Sequence, residues 1–141
     1  MNFGVIGPGK MGQLYIRDFI KFGAKLTYIK STNPKKTNKI VNKFKKEEHL
    51  NNNNIKSVDF LVISSKTNTH YKYINKFYKK KKLLIEKPFF FCRNKSYDWH
   101  LNKAKLFLKS NKAINLNLSN YLFGDIYKKQ KKLSYNKSKN F

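Results

Sequence analysis

The sequence predicts a single-domain α/β protein with a doubly wound, mainly parallel sheet. Three observations support this fold class. An apolar strand runs into a glycine-rich turn and an amphipathic helix at the N-terminus, and strand-like and helix-like segments alternate after it. Residues 58–63 form a continuous apolar run, which is typical of a parallel strand buried on both faces. The 141 residues suffice for one domain but not for two ordinary ones.

Hydrophobic periodicity and turn residues assign the elements in order. Phe22 and Gly23 end the first helix, and Asn33 followed by Pro34 is typical of the N-cap and first position of the second. Thr69 is the expected N-cap of the third helix. No clear strand follows the second helix, where residues 51–54 are all asparagine. We predict strands at residues 3–6, 25–30, 58–63, 83–88 and 113–120. A fourth helix is predicted at 96–110, with Trp99, Leu101, Ala104 and Leu108 packing on the sheet. A marginal helix is predicted at 125–133.

The glycine-rich turn has the spacing Gly-x-Gly-x-x-Gly, with Pro8, Lys10 and Met11 between the glycines. Gly7 would let the chain turn off the strand, Gly9 would let a pyrophosphate approach the backbone, and Gly12 would let the helix pack closely on the sheet. The helix N-terminus would then present free N–H groups to the phosphates. This pattern predicts a Rossmann-like dinucleotide site.

The end of the second strand bears on the choice of dinucleotide. An NAD site usually carries Asp or Glu there to bind the ribose 2′-hydroxyl, whereas this chain has Ser31 and Thr32, with Lys35 and Lys36 close behind. Hydroxyl and ammonium groups can bind a 2′-phosphate that an acid would repel. The residues favour NADP over NAD. The alternative is that the acid was lost without any gain in phosphate specificity.

Three motifs together resemble the nucleotide-binding half of the Gfo/Idh/MocA oxidoreductases over roughly residues 1–123. They are the glycine turn, the strand at 58–63 leading to Asn68 and His70, and the sequence Ile-Glu-Lys-Pro at 85–88. The resemblance implies NAD(P)-dependent dehydrogenases or reductases that act mostly on sugars and polyols. It places Ser64, Ser65 and Asn68 along the cofactor cleft, with His70 at the start of the helix behind it.

The resemblance also implies roles for Glu86 and Lys87. Both would lie near the nicotinamide ribose, and Lys87 would be catalytic, bonding the substrate oxygen and assisting proton transfer. The alternative is that Lys87 forms only a surface ion pair with Glu86. Asp98 and His100 are expected to be surface residues, and Cys92 a small core residue.

The chain departs from the family in its length. The resemblance implies a second, larger domain that carries the substrate pocket, and we predict only a lysine-rich tail at 124–141 after a dinucleotide domain at 1–123. Whether the chain is an enzyme therefore stays open: it would be truncated and inactive alone, or completed by a homo-oligomer or a partner subunit. The same scaffold would also suit a basic nucleic-acid-binding protein, a non-catalytic interaction protein, or a degenerate pseudoenzyme with no ligand.

The composition bears on partners and location. The net charge is +25, from 32 Lys and Arg against 7 Asp and Glu, and predicts nonspecific polyanion binding at low salt. AT-rich codon usage explains the same excess of lysine without any dedicated nucleic-acid surface. The single cysteine, the absence of an apolar leader and the absence of a membrane-length apolar run predict a reduced, cytoplasmic protein without a membrane segment or metal.

Overall fold

The computed structural model describes residues 1–31, 33–50, 53–110 and 114–116. Strands and helices alternate along these residues. Thr32, the predicted tail at 124–141 and the domain boundary at 123 lie outside the described residues. The elements are β1 Asn2–Ile6, α1 Lys10–Lys21, β2 Lys25–Lys30, α2 Pro34–Lys46, β3 Phe60–Ile63, α3 Thr67–Phe77, β4 Lys82–Ile85, α4 Tyr97–Ser110 and β5 Ile114–Leu116.

All strand pairs are parallel, and the sheet order is β2-β1-β3-β4-β5. The chain moves outward from β1 to β2, then returns past β1 to β3 and continues in the opposite direction. This reversal places the ends of β1 and β3 side by side, where open parallel sheets bind their ligands. The predicted doubly wound α/β fold is confirmed.

The core lies in two layers, one on each face of the sheet. On one face, Phe3, Val5 and Val62 pack against apolar residues of α1 and α2, including the buried Ile16 and Phe44. The other face packs on α3 and α4. Alternate residues of β3 therefore enter different layers, which explains why its sequence is apolar throughout. The second layer contains Ile6, Leu61, Ile63, Ile74, Phe77, Leu83, Ile85 and Phe107.

Several details differ from the sequence predictions. The third helix begins at Thr67 with Lys66 as its N-cap, so Thr69 is not the cap; its hydroxyl instead donates to the carbonyl oxygen of Lys66. The fourth helix packs inward through Trp99, Ala104 and Phe107. Leu101 and Leu108, predicted to pack on the sheet, are exposed. The apolar residues of this helix occur on more than one face, so their spacing alone does not identify the buried one.

The outer edge of β2 is covered without a further strand among the described residues. The Asn54 N–H donates to the carbonyl oxygen of Thr27, and the Asn53 side chain accepts from the Ile29 N–H at 2.8 Å. Leu50, fully buried, anchors the preceding segment. Asparagine is a poor strand former, but its side chain can satisfy a backbone donor of the edge.

The helices of the described chain are amphipathic or short. None of them is long and apolar enough to cross a membrane.

Candidate functional site

The turn after β1 requires glycine at its first position. Gly7 has φ +86°, and a Cβ there would lie 2.3 Å from the backbone N and Cα of Ser65. No L side chain fits this position without displacing the neighbouring turn. The Gly7 carbonyl oxygen accepts hydrogen bonds from the Gly9 N–H at 2.7 Å and the Ser64 hydroxyl at 2.9 Å. The turns after β1 and β3 are therefore joined directly.

The other two glycines have different surroundings. A Cβ at Gly12 would lie 2.6 Å from the Gly7 carbonyl oxygen and 2.7 Å from Ser64 Oγ, so Gly12 permits the close packing of α1. A Cβ at Gly9 would meet no protein atom within 4 Å. Gly9 therefore borders open space in front of the turn, where a ligand could contact the backbone.

The N-terminus of α1 offers donors to that space. Gly9 is the N-cap and provides no side-chain hydrogen bond, and the helical bonds begin with the Gln13 N–H to the Gly9 carbonyl oxygen. The N–H groups of Lys10, Met11 and Gly12 thus precede the first helical bond. The first turn contains no acidic residue. Free donors, the positive dipole end and the open position at Gly9 fit the pyrophosphate of a dinucleotide.

A cavity of about 490 Å³ lies between the ends of β1 and β3. It brings together six of the predicted site residues: Gly7, Pro8, Gly9, Ser31, Ser64 and Ser65. Five further lining residues do not belong to the predicted site: Ile6, Asn33, Lys36, Lys66 and Tyr73. Asn33 and Lys36 have a signal in the sequence, through their places just after the second strand. Lys66 and Tyr73 reach the cavity through the position of α3.

The loop at one end of this cavity is fixed by polar contacts. The Ser31 N–H donates to the Thr37 hydroxyl, and Ser31 Oγ accepts from the Asn33 N–H, both at 3.1 Å. Asn33 caps α2 by accepting the Lys36 N–H, as predicted. The first turn of α2 contains no acid, so the cationic Lys36 stands at a helix N-terminus without a neutralising carboxylate on that turn.

Glu86 and Lys87 follow β4 at the same end of the sheet. The Glu86 carboxylate is buried, with a relative exposure of 9%, and it accepts hydrogen bonds from the Tyr15 hydroxyl and from the Lys87 N–H. The Lys87 side chain is exposed. Glu86 is therefore attached to α1, a contact that has no signal in the sequence because Tyr15 is 71 residues away.

Asn68 and His70 both lie in the first turn of α3. Asn68 is exposed, whereas His70 is 1% exposed and bonded to backbone carbonyl oxygens. Neither of them lines the 490 Å³ cavity.

The turn between β4 and α4 contains the remaining candidates. His100 is half-buried rather than a free surface residue: its Nε2 accepts the Cys92 N–H at 2.9 Å, and its ring stacks on Phe90 and Phe91. Cys92 is half-buried in the turn instead of in the core, and burial raises the pKa of its thiol, with Lys95 opposing the shift. Asp98 is exposed, as predicted. The residues described here contain no His, Cys, Asp and Glu cluster that could hold a metal.

Comparison with known proteins gives a family match. Residues 1–106 match the family model GFO_IDH_MocA, described as "Oxidoreductase family, NAD-binding Rossmann fold". No curated protein matches the sequence.

Solved structures share the fold. UDP-N-acetylglucosamine 3-dehydrogenase GnnA from Acidithiobacillus ferrooxidans superposes with a TM-score of 0.67 at 16% identity, covering 100% of this chain and 43% of its own. A probable dehydrogenase from Thermotoga maritima gives 0.66 at 21% identity, covering 96% and 41%. The WlbA dehydrogenase from Bordetella pertussis, in complex with NADH and UDP-GlcNAcA, gives 0.56 at 18%, covering 78% and 34%. The chain thus spans less than half the length of these proteins.

Proposed function

Because the chain belongs to the Gfo/Idh/MocA oxidoreductase family through its NAD-binding Rossmann domain, we propose that its cavity binds the cofactor of a dehydrogenase or reductase acting on sugars or polyols. The observation that carries the proposal is the open position at Gly9, directly in front of the unbonded N–H groups of α1. One structural neighbour is named as a UDP-N-acetylglucosamine 3-dehydrogenase, and another is a dehydrogenase in complex with NADH and UDP-GlcNAcA, which motivates the substrate class.

Each part of the cavity suits one part of a dinucleotide. The pyrophosphate would accept hydrogen bonds from the N–H groups of Lys10, Met11 and Gly12. The adenosine ribose would lie at Ser31, next to the N-terminus of α2. Ser64, Ser65 and Lys66 would line the path towards the nicotinamide.

The charge at the adenosine end favours NADP. A 2′-phosphate beside Ser31 would meet the Lys36 ammonium and the positive end of the α2 dipole, with no acid in the first turn to repel it. NAD would gain nothing from Lys36 at that point. We therefore propose NADP as the preferred cofactor, with Ser31, Thr32 and Lys36 at its phosphate.

Lys87 is the proposed catalytic residue. When bound, the cofactor supplies or accepts the hydride. The exposed Lys87 side chain, whose backbone N–H donates to the buried Glu86 carboxylate, would bond the substrate oxygen and move the proton that accompanies the hydride. The substrate would be held by residues outside the described part of the chain or by a partner subunit. Asn68, exposed in the first turn of α3, would line the cleft on the same side as Lys87.

Isothermal titration with NADPH and NADH tests the proposal. We expect saturable binding of NADPH with one site per chain, and its loss in Gly9→Val, whose side chain fills the pyrophosphate position. Phe22→Val is the control, since it places the same valine side chain at an exposed position at the far end of α1. Absence of binding to either dinucleotide at moderate salt would refute the proposal.

The cofactor preference has its own test. Lys36→Gln should weaken NADPH binding about fivefold, equivalent to roughly 1 kcal/mol for one exposed charge-assisted hydrogen bond, and leave NADH unchanged. Lys35→Gln removes the same charge from the adjacent position outside the cavity and controls for net charge. An equal loss in both variants would show that NADPH responds only to the overall positive field.

A further inference from the structure

The buried His70 connects two turns that follow neighbouring strands. Its Nε2 lies 2.7 Å from the carbonyl oxygen of Ser65, in the turn after β3. Its Nδ1 lies 3.0 Å from the carbonyl oxygens of Pro88 and Phe89, in the turn after β4. One imidazole ring therefore bridges the cavity wall at Ser65 and the backbone that directly follows Lys87.

The partners of this ring are all hydrogen-bond acceptors. A ring nitrogen can bond a carbonyl oxygen only through an N–H, so a neutral imidazole donates to one turn and an imidazolium donates to both. Because the ring is 1% exposed, water cannot reach these carbonyl oxygens easily, and losing the ring N–H leaves them without a donor at a cost in free energy. Both nitrogens are directed to backbone, so the ring offers nothing to a ligand in the cavity.

The backbone is fixed on both sides of Lys87. On the N-terminal side, the Glu86 carboxylate accepts the Lys87 N–H and the Tyr15 hydroxyl. On the C-terminal side, Pro88 is held by His70. The Lys87 side chain itself stays exposed. A reactive side chain contributes most to the reaction rate when the backbone that carries it is already held in the productive position.

We propose that His70 is a positioning residue that sets the Lys87 turn at a fixed distance from the Ser65 wall, and so forms the nicotinamide end of the site. The inference rests on the proposed dinucleotide function. It assigns His70 an indirect role through backbone carbonyl groups instead of a direct contact with the cofactor. The adenosine end, at Ser31 and Lys36, lies on the opposite side of the glycine turn and does not depend on this bridge.

The test compares a whole dinucleotide with its adenosine half. His70→Ala should weaken NADPH binding at least tenfold and change the affinity for 2′,5′-ADP less than twofold. His70→Gln, whose amide can still donate to one turn, should recover part of the NADPH affinity. Ile74→Ala, a buried residue on the same helix without a bond to either turn, is the control for general destabilisation. Equal ratios of the two affinities in His70→Ala and Ile74→Ala would overturn the proposal.

Hydrogen–deuterium exchange measures the bridge without any ligand. Peptides covering residues 86–95 should exchange at least fivefold faster in His70→Ala than in the unmodified chain, and at unchanged rates in Ile74→Ala under native conditions. Unchanged exchange in His70→Ala would contradict the bridge even if NADPH binds. If the unmodified chain binds neither NADPH nor 2′,5′-ADP, the dinucleotide proposal fails, and the nicotinamide role of His70 fails with it. Faster exchange of residues 86–95 in His70→Ala would still support the link between the two turns in that case.

Discussion

Replacing Gly12 with alanine tests the packing of α1 on the glycine turn. The new Cβ would lie 2.6 Å from the Gly7 carbonyl oxygen, so α1 or the turn must move about 0.8 Å (3.4 − 2.6) to restore ordinary contact. Such overpacking costs about 1–3 kcal/mol. Ser64 Oγ, at 2.7 Å, can rotate away, but it then loses its bond to Gly7, at a further cost of about 1 kcal/mol.

The helix propensity of alanine offsets part of this loss. Alanine is about 1 kcal/mol better than glycine inside a helix, so the net expectation for Gly12→Ala is a destabilisation of roughly 1–3 kcal/mol. Urea unfolding followed by circular dichroism measures it, with an unchanged slope expected.

Gly9→Ala is the matched variant for Gly12→Ala. Its Cβ meets no protein atom, and its φ of −74° suits alanine. Loss of the glycine N-cap destabilises the helix by about 0.5–1 kcal/mol, and the lower entropy of the unfolded chain stabilises the fold by a similar amount. The free energy of unfolding should therefore change by less than about 0.5 kcal/mol. NADPH binding should nevertheless fall at least tenfold, or about 1.4 kcal/mol. Equal stabilities of the two variants would refute the packing argument.

Three further predictions concern Asn33, Tyr28 and Cys92. Asn33→Ala removes the cap that accepts the Lys36 N–H and should lower the free energy of unfolding by about 1 kcal/mol in urea titration. Burial, with a smaller effect of Tyr73, raises the pKa of the Tyr28 hydroxyl, so the folded state loses stability as the pH rises above the unfolded pKa of about 10. Tyr28→Phe should therefore lessen the fall in Tm between about pH 9 and 11. The same substitution at the exposed Tyr97 should leave that fall unchanged. Cys92, whose pKa is raised by burial, should react with iodoacetamide at pH 7 more slowly than in the urea-unfolded chain.

The parts of the site that depend on backbone can be predicted from the sequence. The strand, the three glycines and the next helix are contiguous, and each glycine has a local reason that the structure now specifies, from the positive φ of Gly7 to the close contact at Gly12. The capping of α2 by Asn33 is equally local. The fold class follows because a buried parallel strand such as β3 is apolar on both faces.

The parts that depend on distant side chains cannot be predicted in this way. Tyr15 has no signal in the sequence beyond its place in the predicted first helix, yet its hydroxyl donates to the carboxylate of Glu86. The bonds of His70 join residues 18 and 19 positions apart through the sheet order, which no spacing rule contains. The predicted inward face of α4 is correct for Trp99 and Ala104 and wrong for Leu101 and Leu108. Leu101 and the buried Phe107 are equally apolar, and only the packing partner distinguishes them.

The two ends of the site therefore respond differently to change. The pyrophosphate position depends on the absence of side chains and on helix N–H groups, which most surface substitutions leave intact. The Lys87 turn depends on three side chains from separate parts of the chain, Tyr15 on α1, His70 on α3 and Glu86 in the turn itself. The buried Glu86 is costly to replace, because its loss removes the acceptor of two part-buried hydrogen bonds. Binding of the pyrophosphate should thus tolerate surface substitutions more readily than the geometry around Lys87 does.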